Sequence, residues 1–204
     1  MDSLSRPFDR IDPGSLTLRS AAVADAPAIA RLFLIASDGL AAYIWQRVAT
    51  PGQSLEDAGA ARYARTGVAF SFENCLVVER NGEVVAMAHA FPMDAPSPGA
   101  EAETDPVLRP YAELEDYGSF YLAGLAVDEP MRGWGIGTRL LNAVISRARG
   151  RGLRRVSLIC FDGNRDAMRL YTRRGFHEMD RRSIVPHPCL HYTDGDAILL
   201  AKVV

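Results

Sequence analysis

The stretch Arg132-Gly133-Trp134-Gly135-Ile136-Gly137-Thr138-Arg139-Leu140-Leu141 alternates three glycines with other residues and runs straight into an apolar-periodic segment. Each glycine at such a helix start costs roughly 0.5–1 kcal/mol relative to alanine. The stretch must therefore supply something alanine cannot. A helix N-terminus carries unpaired N–H groups and a partial positive charge. Without side chains in the way, an anion can approach that backbone closely, and phosphate is the natural guest. Three phosphate-binding patterns compete. A P-loop requires a lysine after its last glycine, and Lys202 is the sole lysine of the chain. A dinucleotide fingerprint requires Gly-x-Gly-x-x-Gly. From Gly133 that pattern ends on Thr138 and from Gly135 on Leu140, so both registers fail and a nucleotide-dependent oxidoreductase is disfavoured. The third pattern, Arg/Gln-x-x-Gly-x-Gly/Ala after a strand, is satisfied by Arg132, Gly135 and Gly137. The plain alternative is a tight strand-to-helix turn with no ligand.

Working outward, residues 119–130 read as a buried strand bounded by a proline. Beyond the glycines, Leu140, Leu141, Val144, Ile145 and Ala148 form the apolar face of a helix. A buried strand over 154–161 follows, then a helix from Asn164 that Gly175 stops. Closing strands are expected over 175–185 and 197–204. On the N-terminal side, residues 15–21 alternate like a first strand. Residues 24–37 carry a helical stripe of Ile29, Leu32, Phe33 and Ala36, and further helices are expected over Leu40–Val48 and 54–67. Two β-rich runs over 73–91 flank Asn81-Gly82, a strong hairpin signal because both residues tolerate positive φ. Residues 92–110 read as a long surface loop, with a short helix from Pro110 to Asp116. The order predicts an α/β fold with a mixed sheet. Residues 1–14 form an N-terminal extension and residues 15–204 a single domain.

Two segments carry a specific resemblance. Residues Leu125–Val144, LAVDEPMRGWGIGTRLLNAV, resemble the acyl-CoA-binding segment of the GNAT superfamily of N-acetyltransferases. Downstream, Asn164–Phe176, NRDAMRLYTRRGF, resembles that superfamily's second signature of Asn, Ala three residues on, Tyr, then Gly-Phe. The hairpin and the first strand-helix unit fit the superfamily's order. The resemblance implies a central mixed sheet of about seven strands flanked by helices. Its fourth and fifth strands splay to form a cleft for acetyl-CoA. The backbone at Leu125, Ala126 and Val127 would bond the pantetheine arm as an added strand does. The N–H groups from Arg132 through Gly133, Trp134, Gly135, Ile136 and Gly137 to Thr138 would hold the pyrophosphate. Trp134 and Ile136 themselves are expected to be exposed or to pack the loop.

Asn164, Ala167 and Tyr171 fall at i, i+3 and i+7 and so share a helix face. The resemblance turns that face toward the thioester. Tyr171 becomes the catalytic acid that gives a proton to the leaving thiolate, a role suited to a hydroxyl protonated at neutral pH. Arg173 and Arg174 follow it, either solvated or reaching the coenzyme's 3′-phosphate. The expected reaction is direct acetyl transfer to a primary amine of a small molecule, peptide or protein. The alternative is a non-catalytic acyl-CoA-binding or sensing protein. Family members often place an acidic base on the strand before the glycine loop. Here that region reads Ser119-Phe120-Tyr121, which leaves Glu115, Asp116 and His89 as candidates.

Composition bounds the rest. The 204 residues carry a formal net charge of −2, which argues against a nucleic-acid partner held by a basic field. No apolar run approaches the roughly 20 residues of a membrane span, and the first residues lack the apolar core of a signal peptide. Cys75, Cys160 and Cys189 are scattered with no metal-like spacing, so no metal site is expected and reduced, cytoplasmic thiols are. The kinship points to bacterial proteins, and homodimerisation through an edge or C-terminal strand comes with it as an expectation. The resemblance implies that acceptor choice rests on the first two helices and the loop before the fourth strand; Tyr43, Trp45, Phe70 and Phe72 there either line an acceptor pocket or belong to the core, and the segment 101–116 sets six acids against Arg109 alone. Such a segment is either a solvated acidic face or a means of steering a cationic amine.

Overall fold

A computed structural model describes residues 16–99 and 101–204. The proposed extension at 1–14 lies outside the described residues. Seven strands form one mixed sheet in the order β1-β2-β3-β4-β5-β7-β6. Strand β1 is Leu16–Ser20, β2 Cys75–Arg80, β3 Glu83–Pro92, β4 Phe120–Val127, β5 Arg155–Phe161, β6 His177–Ser183 and β7 Asp196–Val203. All neighbours run antiparallel except β4 and β5. The last strand inserts between β5 and β6, an order that alternation along the chain does not reveal.

The hairpin of β2 and β3 turns at Asn81 (φ 52°) and Gly82 (φ 86°), both left-handed as the dipeptide predicts. Helix α1 (Ala26–Ala36) starts with a proline in its first turn, where the missing N–H has no partner to lose. Helix α3 (Leu55–Tyr63) is capped by Ser54, whose hydroxyl accepts from the Asp57 N–H. Helix α2 (Leu40–Trp45) and α3 both end earlier than the apolar pattern suggests, because turns through Thr50-Pro51-Gly52 and Gly67 follow them. The short helix expected from Pro110 begins one residue earlier and is a single turn, α4 (Arg109–Ala112). Helices α5 (Ile136–Gly150) and α6 (Arg165–Arg173) follow the glycines and Asn164.

Each sheet face buries its own cluster. Leu140, Leu141 and Val144 of α5 pack with Phe120, Leu122, Val156 and Leu158 on one face. Ile29, Leu32 and Phe33 of α1, with Trp45 and Tyr63, pack on Val77, Met87 and Ala126 on the other. A bulge switches the faces of β4 part-way along, so that Phe120 and Leu122 join the first cluster and Ala126, at the same parity, joins the second. His89 pairs with Gly124 and Ala90 with Leu122, so Ala123 is the extra residue. The bulge also sets Gly124 beneath α1, where a Cβ would stand 2.8 Å from the Phe33 ring. That close approach, rather than any need for unusual dihedrals, makes residue 124 a glycine.

Candidate active site

The site begins where β4 and β5 part. They pair only at Phe120–Val156 and Tyr121–Ser157, below which Ser119 and Ser157 share a buried 2.6 Å hydroxyl bond. Beyond Tyr121 the β5-facing edge of β4 has no strand beside it, while its other edge stays bonded to β3 through Val127. A cleft of about 810 Å³ opens along that free edge. Tyr121–Val127 form one wall. The glycine turn and the start of α5 form a second, and β5 and α6 a third, through Cys160, Phe161, Asn164, Ala167 and Tyr171.

The glycine turn is built by dihedrals. Gly133 (φ 81°) and Gly135 (φ 75°) lie in the left-handed region, and Gly135 caps α5 without any side-chain hydrogen bond. The first N–H groups of α5 therefore stay open toward the cleft. Gly137 is helical, so its dihedrals do not require glycine. A Cβ there would stand 3.5 Å from Leu125 Cδ2 and 3.7 Å from Leu170 Cδ2, inside the cleft. The bare backbone at Gly137 leaves room for a guest. Arg132 Nε donates to the Val127 carbonyl at 3.1 Å, so this arginine folds the loop back on its strand. Thr138 Oγ1 accepts from Arg174 at 3.1 Å, and Arg169, Arg173 and Arg174 gather around a second hollow beside it.

Eleven of the twelve binding positions expected from sequence line the cleft; only Trp134 does not, its side chain being 45% exposed. Ile136 lines it by backbone while its side chain is buried in the core. Asn164 caps α6 by accepting from the Ala167 N–H at 3.2 Å, and donates to Asp38 Oδ2 at 2.9 Å. Tyr171 lines the cleft with its ring against Phe176, and burial pushes its hydroxyl above the ordinary tyrosine value of 10.0. At neutral pH it is a proton donor.

The expected bases do not survive. His89 is fully buried behind the cleft, bonded to Tyr63 and to the Ala69 carbonyl, and burial drives its pKa down to about 4. Asp116 is held by a two-pronged bond from Arg155, and Glu115 accepts from Tyr117. Neither acid lines the cleft. Two further acids of 101–116 are engaged as well: Asp105 binds Tyr43 and Arg47, and Glu113 binds Arg182. Tyr43 and Phe72 are likewise absent from the lining, whereas Trp45 and Phe70 belong to it.

Two carboxylates line the cleft: Asp166, fully out in solvent beside Arg169, and Asp38, largely buried in the turn between α1 and α2. Its backbone is left-handed (φ 48°), as is that of Gly39 (φ 97°), where a Cβ would strike the Cys189 carbonyl. Burial raises the Asp38 pKa, and the Asn164 amide and His191 pull it partly back. His191 lies 3.7 Å from Asp38 and is 59% exposed. Asp38 shares the cleft with Tyr111, Cys160, Tyr171 and Tyr192, and its bond to Asn164 ties it to the head of α6, the helix that carries Tyr171. The Asp-Gly dipeptide at 38–39 is a sequence signal for a special turn; nothing in it marks a carboxylate aimed into a cleft.

Residues 41–176 match the acetyltransferase (GNAT) family model. The chain belongs to the GNAT acetyltransferase family. Comparison with curated proteins yields no match. Solved structures agree on the fold. A ribosomal-protein-alanine N-acetyltransferase from Brucella melitensis is 25% identical, with a TM-score of 0.60 over 92% of this chain and 99% of that one. A GNAT acetyltransferase from Elizabethkingia anophelis with acetyl-CoA bound is 18% identical, with a TM-score of 0.55 over 93% and 99%. An agmatine N-acetyltransferase is 19% identical, with a TM-score of 0.65 over 93% and 100%. GNAT proteins transfer acetyl groups and use acetyl-CoA as donor. Among the described residues no helix is long and apolar enough to cross a membrane, and no cluster of metal-binding side chains occurs.

Proposed function

We propose that this GNAT protein transfers the acetyl group of acetyl-CoA to a primary amine. The observation that carries the reading is the free edge of β4, which leads directly from the open helix mouth at Gly133–Thr138 to Tyr171. The donor fits the residues present. A pantetheine arm bonds the exposed backbone of Leu125, Ala126 and Val127 as a strand would, although Arg132 already occupies the Val127 carbonyl. The pyrophosphate lies on the first N–H groups of α5. Gly137 keeps a methyl group out of its path.

The thioester supplies an activated acetyl group. Asp38 receives the acceptor's ammonium and takes one proton from it, and exposed His191 passes that proton to water. The nitrogen lone pair then forms the C–N bond, and N–H groups of the bulged β4 stabilise the developing oxyanion. The C–S bond breaks with its electron pair on sulfur, and Tyr171 protonates the thiolate. The second proton shed by nitrogen balances the one that Tyr171 gives up. Acceptors are amines in the alanine-acetylating structure from Brucella, which supports this direction of transfer.

The test is thiol release from acetyl-CoA across a panel of primary amines, for the wild type and for Tyr171→Phe. Wild-type protein is expected to release coenzyme A with at least one amine. The variant should lose about 100-fold in kcat while binding acetyl-CoA as before. Acetyl-CoA binding with no turnover on any amine would point to a sensing protein. Unchanged kcat in the variant would remove Tyr171 from the mechanism.

A further inference from the structure

Three side-chain polar atoms among the described residues are buried without a hydrogen-bond partner: Arg62 Nε, Arg80 Nε and Tyr111 Oη. Two of these residues, Arg62 and Tyr111, line the active-site cleft. Buried polar groups are rarely left unpaired, and an orphan forgoes roughly 1–3 kcal/mol of solvation. Two orphans in one cleft point to a guest that satisfies both.

They stand at different places. Tyr111 packs edge-on against Phe161 and clusters with Tyr192 and with Leu40, two residues from Asp38. Arg62 ends the opposite, apolar part of the cleft. Its guanidinium lies 4.8 Å over the Phe70 ring, and Phe70 in turn packs edge-on against Phe33. Phe33 is on α1, five residues before Asp38, a rise of roughly 7.5 Å if the helix ran on. The lining that α1 and α2 contribute with Phe70 is mostly apolar: Phe33, Ala41, Ile44, Trp45 and Phe70 belong to one packed cluster. Among the described residues no carboxylate pairs with Arg62, and the charge that bears on it is that of Arg65. None of the acids of 101–116, which would suit a second cationic group, lines the cleft, and Asp105, Glu113, Glu115 and Asp116 are bonded to Tyr43, Arg47, Arg182, Tyr117 and Arg155.

From this arrangement we infer that the acceptor is an elongated amphoteric molecule. Its primary amine lies at Asp38 and Tyr111, its body is apolar, and a carboxylate or comparable anion at its far end lies on Arg62. A guanidinium suits that end because its planar fork meets a carboxylate in two parallel bonds. The inference rests on the acetyl-transfer reading and names the substrate class for that same site. A polyamine would leave Arg62 facing a like charge, and a plain alkylamine would leave it unpaired.

A homologous series tests it. Thiol release is measured with 4-aminobutyrate, 6-aminohexanoate and 8-aminooctanoate, with the alkylamines of equal length, and with 1,8-diaminooctane. At the length that spans the cleft, the amino acid is expected to exceed its alkylamine in kcat/KM by at least about tenfold, the worth of one charge-assisted bond. Arg62→Gln should erase that preference, leave the alkylamine rates within about twofold, and leave acetyl-CoA binding unchanged. Arg62→Lys should restore part of the preference. A preference for the alkylamine or the diamine overturns the inference, as does an amino-acid preference that survives Arg62→Gln. Should Arg62→Gln fail to fold, the wild-type series alone decides. Acetyl-CoA binding without turnover of any member overturns the acceptor assignment and leaves the donor site standing. Failure to bind acetyl-CoA removes the acetyl-transfer reading itself.

Discussion

At the scale of single residues, the site depends on groups held where folding alone would not put them. Asp38 occupies a left-handed conformation that costs a residue with a Cβ about 1 kcal/mol, and it buries a carboxylate as well. The groups facing Asp38 are Asn164 and Tyr171 from α6, Tyr111 from α4, Cys160 from β5, and His191 and Tyr192 from the connection before β7. Burial keeps the three tyrosines and the thiol protonated through neutrality. A base must be ionised, so kcat/KM should fall as pH drops through the Asp38 pKa, at a pH above the ordinary 3.8. In Asp38→Asn, which can still accept from Asn164, kcat/KM should be about 100-fold lower and that acid limb should vanish. His191→Gln should keep the limb. A limb that persists in Asp38→Asn and disappears in His191→Gln would transfer the role to the histidine. Sequence names Tyr171 because the family resemblance carries it, with a helical spacing that sets it on one face with Asn164 and Ala167. Asp38, Arg62 and Tyr111 escape because no spacing links them; three separate elements bring them to one cleft.

At the scale of elements, the glycine turn separates two demands that sequence merges. Gly133 and Gly135 are glycines for their left-handed dihedrals, and Gly137 for the room it leaves. The two roles respond oppositely to alanine. Gly135→Ala forces a Cβ into a left-handed cap and should destabilise the protein by about 1 kcal/mol. Gly137→Ala sits in a helix and should stabilise it by up to about 1 kcal/mol, while weakening acetyl-CoA binding by about tenfold through the methyl placed in the cleft. Thermal melts and binding isotherms of the two variants check both signs. Loss of stability without loss of binding in Gly137→Ala would make the turn structural. Strands and helices were legible where pattern and punctuation agreed, as at Asn81-Gly82 and Gly175. They were misjudged at the ends of α2 and α3, where apolar residues continue into turns.

At the scale of the whole molecule, one sheet joins two cores, and the bulge at Ala123 switches which residues of β4 face each. His89 belongs to this framework. Its ring bonds Tyr63 and the Ala69 carbonyl in the neutral form, and Phe33, Phe70 and Phe91 surround it. Its pKa falls from 6.5 to about 4 on folding. The unfolded chain therefore binds the proton more readily, and stability is complete above pH 6.5 and lost as pH falls toward 4. The loss is roughly 3 kcal/mol. His89→Gln should flatten that part of the stability–pH profile, as measured by denaturant unfolding at a series of pH values. An unaltered slope would show that other groups set the acid limit. The sequence reading of His89 as a candidate base failed here, because burial depends on the strand order and a single sequence gives no view of it. The cleft itself was legible only through family resemblance. Its physical cause, the two-residue pairing of β4 with β5, is a property of the assembled sheet.

The central claim is that the open helix mouth at Gly133–Thr138 and the free edge of β4 together bind acetyl-CoA. Calorimetric titration of the wild-type protein with acetyl-CoA, with NAD as control, tests it most directly. The account predicts one site per chain for acetyl-CoA, tenfold weaker in Gly137→Ala, and no heat with NAD. Absence of acetyl-CoA binding, or equal binding of NAD, would contradict it.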